Sequence, residues 1–285
     1  MNTELKHILK RIRWQARRGG ALLRWGPRTL WNAPAVLGNA IPKSGSHLII
    51  QVLQGLTAIG PFVDGGFPPV NRAEDNRKLP DSTVLRNIRR MRAGDIGYGY
   101  VGCYQPFIDA LTAPGRATIF VYRDPRDAVV SSVFYATDMN PGHAMHRYYN
   151  ENLDSVEARI NVAIRGLDDP DLPYSGVRQR FEKYLGWLEQ PGVLCLRFED
   201  LQTNREAAFN RILDYLEGRG WRNQPAREES LRALHAAIQP RKSGTYRKGK
   251  PGGWREHFTE ANKAIFKEEA GDLLIRLGYE KDTNW

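Results

Sequence analysis

Three short stretches of this 285-residue chain bring cations, hydroxyls and glycines together at spacings that suit a polyanion. The first is Pro42-Lys43-Ser44-Gly45-Ser46, followed by His47 and then by Leu48, Ile49, Val52, Leu53 and Leu56 at helical spacing. A helix starting here presents its first backbone N–H groups and the positive end of its dipole to an anion, and Lys43 adds a full charge. Ser46 suits the N-cap of that helix. The second stretch is Arg123-Asp124-Pro125-Arg126-Asp127, with Ser131 about two turns into the helix that begins near Arg126. Arg123 can clamp an oxyanion with two parallel hydrogen bonds, and Ser131 can add a hydroxyl. The third runs Arg247-Lys248-Gly249-Lys250-Pro251-Gly252-Gly253-Trp254-Arg255-Glu256-His257-Phe258, whose glycines let backbone approach a ligand closely. Alone, each reads as an ordinary turn, an ion-paired strand end or a solvated loop. Together and in this order they describe one phosphate-rich ligand held at three points.

The elements that must position them follow from the apolar runs. Ala35–Ile41, Ile96–Cys103, Ala117–Tyr122 and Gly192–Phe198 are short, apolar and rich in strand formers. Helical patterns follow at 46–56, from about 126, and at 151–165, 176–189, 204–217, 227–238 and 260–277. Strands alternating with helices predict an α/β fold with a central, mostly parallel sheet flanked by helices on both faces. In such a sheet ligands bind beyond the carboxyl ends of the strands, where the first two cation-bearing stretches fall. Residues 60–82, rich in Gly, Pro and charge, read as a long loop of the functional or mobile kind.

Composition bounds the class. The chain is 41% hydrophobic and 26% charged, enough for a substantial core, and no apolar run reaches the length of a membrane span. Cys103 and Cys195 form neither a disulfide framework nor a metal-ligand pattern, which fits buried thiols and a reducing, cytoplasmic setting. The net charge of +10 is uneven: residues 1–31 carry eight Lys/Arg against the single acid Glu4. With Leu5, Ile8, Leu9 and Ile12 at helical spacing, this segment reads as a basic amphipathic helix without the continuous apolar stretch of a secretory signal. It could touch a membrane or another acidic surface. The preferred reading lays it on the body with its basic face in water. A division into an N-terminal extension, 1–34, and a single domain, 35–285, follows.

The three stretches resemble the motifs of the PAPS-dependent sulfotransferase family, cytosolic and bacterial small-molecule type. That family carries a PKSGT-type turn, an R-(D/N)-P-(R/K)-D-x3-S stretch and an RKGxxGxWxxHF stretch; here they stand as PKSGS (42–46), RDPRDAVVS (123–131) and RKGKPGGWREHF (247–258). Arg197-Phe198-Glu199-Asp200-Leu201 is similar to the family's YEDL segment. The resemblance spans roughly residues 35–280. It implies the P-loop-like nucleotide-binding architecture of the sulfotransferase fold. It also implies the donor 3′-phosphoadenosine 5′-phosphosulfate (PAPS), with 3′-phosphoadenosine 5′-phosphate (PAP) as product, and no metal. Lys43, Ser44 and the backbone of Gly45, Ser46 and His47 are implied to hold the 5′-phosphosulfate. Arg123, Ser131, Arg247, Lys248 and Gly249 are implied at the 3′-phosphate. The acceptor implied is a hydroxyl, or an amine or carbamoyl nitrogen, of a small molecule or glycan.

Two positions depart from the family pattern. Leu48 stands where a tryptophan stacks on adenine, leaving Phe198 or Trp254 for that contact. Gly97-Tyr98-Gly99-Tyr100-Val101-Gly102-Cys103 stands where the family's general base is a histidine. Tyr100 matches that position best and Cys103 next. A phenol ionises near pH 10, so His47, His143 or His146 could serve as the base instead, or the chain could bind donor and transfer slowly. The competing enzyme class, a P-loop phosphotransferase, is disfavoured because GxxxxGK[ST] and a strand-ending Asp for Mg²⁺ are missing. A nucleic-acid partner is disfavoured because the cations cluster in turns and one tail, with no aromatic-interleaved strip. The dimerisation signature KTVxxxE is not seen near the C-terminus, and oligomeric state stays open.

Overall fold

The structure, a computed structural model, describes residues 3–239 and 250–285. In chain order its elements begin with α1 (Thr3–Trp25), α2 (Pro27–Asn32), β1 (Ala35–Ala40), α3 (Ser46–Ile59), β2 (Val63–Asp64), α4 (Asp81–Arg90), β3 (Asp95–Gly99), α5 (Phe107–Thr112) and β4 (Arg116–Tyr122). They continue with α6 (Pro125–Phe134), a π-helical turn at Tyr135–Met139, α7 (Met145–Glu151), α8 (Val156–Arg165), β5 (Gly166–Leu167), β6 (Tyr174–Ser175) and α9 (Val177–Leu185). After a 3₁₀ turn at Gly186–Glu189 come β7 (Val193–Arg197), α10 (Phe198–Thr203), α11 (Arg205–Gly218) and α12 (Arg227–Ala237). A second 3₁₀ turn, Gly253–Glu256, precedes α13 (Glu260–Arg276). The described residues fall into two units, 3–122 with 186–239 and 123–185 with 250–285.

The first unit is built on a five-stranded sheet in the order β2-β3-β1-β4-β7, with every pairing parallel. β1 is buried along its whole length, as expected of a central parallel strand covered on both faces. Its neighbours are β3 on one side and β4 on the other, so the strand order reverses about β1 and a crevice opens at its carboxyl end. On one face, α3, α11 and α12 pack Ile49, Val52, Leu56, Phe209, Ile212 and Leu234 into a core with Val36, Ile119 and Leu196. Gly55 lets α3 and α12 approach, because a Cβ there would stand 2.9 Å from the Cβ of Ala237. The fully buried Trp187 sits in the 3₁₀ turn before β7 and donates from its indole nitrogen to the Val101 carbonyl at 2.8 Å.

The second unit is mainly helical: α6 packs on α8 and α9, and α13 on α8 and α9, with the short antiparallel pair β5–β6 beside α8. Asp124 caps α6 by accepting from the Arg126 N–H at 2.9 Å, and Pro125 occupies the first helical position, where its missing N–H costs nothing.

Several boundaries differ from those expected. β3 ends at Gly99, not Cys103, because residues 100 and 101 exchange their backbone hydrogen bonds with asparagine side chains. The loop 60–82 contains the two-residue β2. The helices placed at 151–165 and 176–189 are shorter, since α8 takes its cap from Ser155 and α9 gives way to the 3₁₀ turn. The helix over the basic N-terminal segment forms and lies on the body with most of its cations in water, but the side it docks is a polar one and not the aliphatic line. Lys10, Trp14 and Arg18 face the body, pairing with Glu74 and Asp95, while Leu5, Ile8 and Ile12 face outward. Among the described residues no helix is long and apolar enough to cross a membrane.

Candidate functional site

The turn after β1 lies at the point where the strand order reverses. Lys43 takes a positive φ of 69° and Gly45 one of 93°, and these two left-handed residues fold the chain back so that α3 begins at once. Gly45, not Ser46, is the N-cap: the Ser44 N–H donates to the Ile41 carbonyl at 3.0 Å, and the Gly45 carbonyl accepts from Leu48 and Ile49. The Ser46 hydroxyl is thereby released from capping and accepts from the Tyr100 hydroxyl at 3.0 Å. Glycine is required at 45. A Cβ there would fall 2.3 Å from Cδ2 of Phe198, whose ring backs the turn and is 5% exposed. The first N–H groups of α3 have no intrahelical acceptor and, with Lys43, give this end of the sheet a positive field.

Tyr100 is brought to the same place by register. Gly99 on β3 pairs with Asn39 on β1, so residue 100 stands beside the end of β1. Two asparagines hold its backbone. Asn71 accepts from the Tyr100 N–H and donates to its carbonyl, both at 3.1 Å. Asn39, inside the otherwise apolar β1, does the same for Val101 at 2.8 and 2.9 Å. Neither asparagine announced itself in sequence, although a fully buried amide within an apolar strand is the kind of signal that marks a backbone clip. Cys103 lies beyond, its thiol pushed up to about 11 by burial and then by Glu189, so it is not a thiolate at neutral pH. His47 sits on the first turn of α3. Partial burial first, and the Lys43 charge second, hold its imidazole below the ordinary value of 6.5, so it is neutral at pH 7 and able to accept a proton.

The second unit carries the other two motifs. Arg123, at the approach to α6, places Nη2 3.3 Å from Oδ2 of Asp127 and 3.5 Å from the Lys250 carbonyl. The buried Asp127 also accepts from the Gly252 and Trp254 N–H groups, each at 2.8 Å. One carboxylate therefore ties the RDPRD stretch to the PGGW stretch, a role that the sequence reading gave only to local ion pairing. Ser131 lies on the second turn of α6, partly exposed. Arg126 is structural: its buried guanidinium pairs with Asp124 at 2.8 Å and Glu280 at 2.6 Å, between the rings of Trp254 and Trp285 at 4.0 and 4.5 Å. His143 and His146 use their Nδ1 atoms locally, His143 accepting from the Met145 N–H and His146 meeting the Ala136 carbonyl. Arg247, Lys248 and Gly249 lie outside the described residues.

One atom tests whether an anion fits the turn. The hydroxyl oxygen of Ser44 is wholly buried and has no hydrogen-bond partner among the described residues. A buried hydroxyl left unpaired is costly, and an oxyanion held between Lys43 and the helix N-terminus would satisfy it.

A family model described as "Sulfotransferase domain" matches residues 106–277. The chain belongs to the sulfotransferase family. The match takes in the motifs at 123–131 and 247–258, and the turn at 42–46 precedes it. Among curated relatives, Sulfotransferase 2A6 of Mus musculus is 22% identical over 175 residues, covering 55% of this chain and 56% of the relative. The 3-alpha-hydroxysteroid sulfotransferase of Cavia porcellus is 26% identical over 169 residues, covering 52% of each. The chain thus spans about half the length of the curated relatives it matches. Two solved structures share the sulfotransferase fold. One is mouse sulfotransferase SULT7A1 complexed with PAP (TM-score 0.60, 15% identity, 93% of this chain and 94% of that one). The other is retinol dehydratase with retinol and PAP (TM-score 0.55, 16% identity, 86% and 84%).

Proposed function

We propose that this sulfotransferase moves a sulfuryl group from PAPS to a hydroxyl of a small-molecule acceptor, releasing PAP. The observation that carries the reading is the turn at the strand-order reversal, where Lys43, the buried unpartnered Ser44 hydroxyl and the N-terminus of α3 converge. Lys43, Ser44 and the N–H groups of Gly45, Ser46 and His47 hold the 5′-phosphosulfate. Lys43 takes up charge on the departing phosphate oxygen as the S–O bond breaks, a stabilisation realised in the transition state. Arg123 and Ser131 hold the 3′-phosphate, and Arg247, Lys248 and Gly249, outside the described residues, contribute to the same phosphate. Phe198 is left only an edge to offer the purine, given its 5% exposure.

On the acceptor side, Tyr100 orients the attacking hydroxyl and His47, neutral at pH 7, receives its proton. A new S–O bond forms to the acceptor oxygen while the bond to the phosphate breaks and its electron pair leaves with PAP. Catalysis here is positioning and electrostatics, as in phosphoryl transfer. The relative named for a 3-alpha-hydroxysteroid and the neighbour holding retinol make apolar alcohols the first acceptors to try.

Calorimetric titration with PAP and with AMP tests the donor assignment, followed by an acceptor screen with sulfur-labelled donor in excess chelator. PAP should bind at least tenfold tighter than AMP, and Lys43→Ala should abolish transfer. Equal affinity for PAP and AMP would overturn the donor assignment. Tight PAP binding with no turnover on any hydroxyl or amine acceptor would make the chain a donor-binding relative.

A further inference from the structure

The orientation of α1 leaves an amphipathic face without a partner in the fold. At about 100° per residue, Lys10, Trp14, Arg18 and Ala21 share one side of the helix. That side is the docked one: Lys10 pairs with Glu74 at 2.6 Å, and Asp95 accepts from Trp14 at 2.9 Å and from Arg18 at 2.7 Å. Arg92 lies over the Trp14 ring at 4.7 Å. Diametrically opposite runs an aliphatic line, Leu5, Ile8, Ile12 and Leu23, which is 47%, 53%, 59% and 91% exposed, with Leu9 at its margin. A helix held by ion pairs has no folding reason to keep four aliphatic side chains in register along its outer face.

The geometry points to an anionic lipid surface as the occupant of this face. Lys6 and Arg13 lie on one flank of the aliphatic line and Arg11 on the other, all exposed, while Arg17 and Arg24 turn towards the docked side and donate to the Asp64 and Ala58 carbonyls. Aliphatic residues on the bottom and cations at the waterline are the arrangement of a helix lying in the plane of a bilayer interface, where long basic side chains reach the headgroups. Charge decides between occupants. Lys6, Arg11 and Arg13, exposed beside the line, would set two copies of this face against each other in repulsion, whereas anionic headgroups attract each of them. The sulfotransferase body is then held at a membrane by a helix that spans nothing, which favours acceptors that partition into lipid.

The test uses the full chain and vesicle co-sedimentation. Wild-type protein should pellet with phosphatidylcholine vesicles containing about 30% phosphatidylserine, far less with phosphatidylcholine alone, and less as salt rises from about 0.1 to about 0.5 M. The double variant Ile8→Glu/Ile12→Glu should lose at least tenfold in partitioning. Lys6→Ser/Arg13→Ser should lose roughly tenfold on the anionic vesicles only. Both should keep the wild-type melting temperature and PAP affinity, since these side chains are exposed and make no hydrogen bond or ion pair to the body among the described residues. Failure of wild type to bind anionic vesicles, or equal binding by Ile8→Glu/Ile12→Glu, overturns the proposal. So does a concentration-dependent dimer in solution that Ile8→Glu/Ile12→Glu dissolves, which would make a second copy the occupant.

Discussion

Gly45→Ala probes the turn most directly, because two separable costs meet there. The first is backbone strain: at φ 93° an L-residue with a Cβ costs about 1–2 kcal/mol relative to glycine. The second is steric. The added methyl would stand 2.3, 3.0 and 3.3 Å from three carbons of the Phe198 ring, so that ring must retreat by about an ångström within a packed core. Overpacking of that kind costs about 1–3 kcal/mol, for a total of about 2–5 kcal/mol. Denaturant unfolding of a double-mutant cycle separates the two. Phe198→Ala alone costs about 3–5 kcal/mol through its cavity, but in the Gly45→Ala background it also removes the obstacle. The double variant should therefore be less destabilised than the sum of the singles by about 1–3 kcal/mol, the steric share alone. Additivity within about 0.5 kcal/mol would refute the claim that Phe198 backs the turn. If additivity came with a Gly45→Ala cost below about 1 kcal/mol, the left-handed conformation would fall as well.

Three further outcomes are expected. His47 should titrate below 6.5 by NMR in the native protein, and Lys43→Met should raise it only part of the way, because burial is the larger cause. Since the unfolded imidazole binds its proton first, stability should fall as pH drops through 6.5 towards the native value, and His47→Gln should flatten that slope; a native pKa at or above 6.5 would contradict the electrostatics. Arg126→Met should cost about 3–5 kcal/mol, as it strands Asp124 and Glu280, whereas Arg123→Lys should leave the melting temperature within a few degrees and weaken PAP binding tenfold or more. Asn71→Ala should lower kcat while leaving PAP affinity unchanged, because it frees the Tyr100 backbone without touching Lys43; parallel losses in both would mean that the whole crevice had shifted.

The strand–turn–helix at 35–59 was legible because one apolar run and one helical period abut at a turn of special residues. The same holds for Arg123–Phe134. What could not be read were contacts set by tertiary register. Asn39 and Asn71 lie 32 residues apart and matter only because β1 and β3 pair at Asn39 and Gly99. The short helices α5 and α7, of 6 and 7 residues, are held by packing and leave little periodicity to find, whereas α4, with Val84 and Ile88 buried one turn apart, carried a readable pattern that was passed over beside the long loop. The docked face of α1 went unread for a related reason: a helical period says that a face exists, and the ion pairs to Glu74 and Asp95 decide which face is used.

The caged Arg126 also sets a schedule for synthesis. Its partner Glu280 lies 154 residues downstream, and the second ring of its cage is Trp285. At about 5–20 residues per second the ribosome delivers these partners roughly 8–30 s after Arg126 itself. Through that interval the guanidinium has Asp124 beside it but neither Glu280 nor the Trp285 ring, so burying the face of α6 that carries it costs more than in the finished unit. The first unit receives its final strand, β7, and α10 to α12 earlier. Completion of the Arg126 cage is therefore a late event in synthesis, after the partners of the Asp127 tether, Gly252 and Trp254, have already been made.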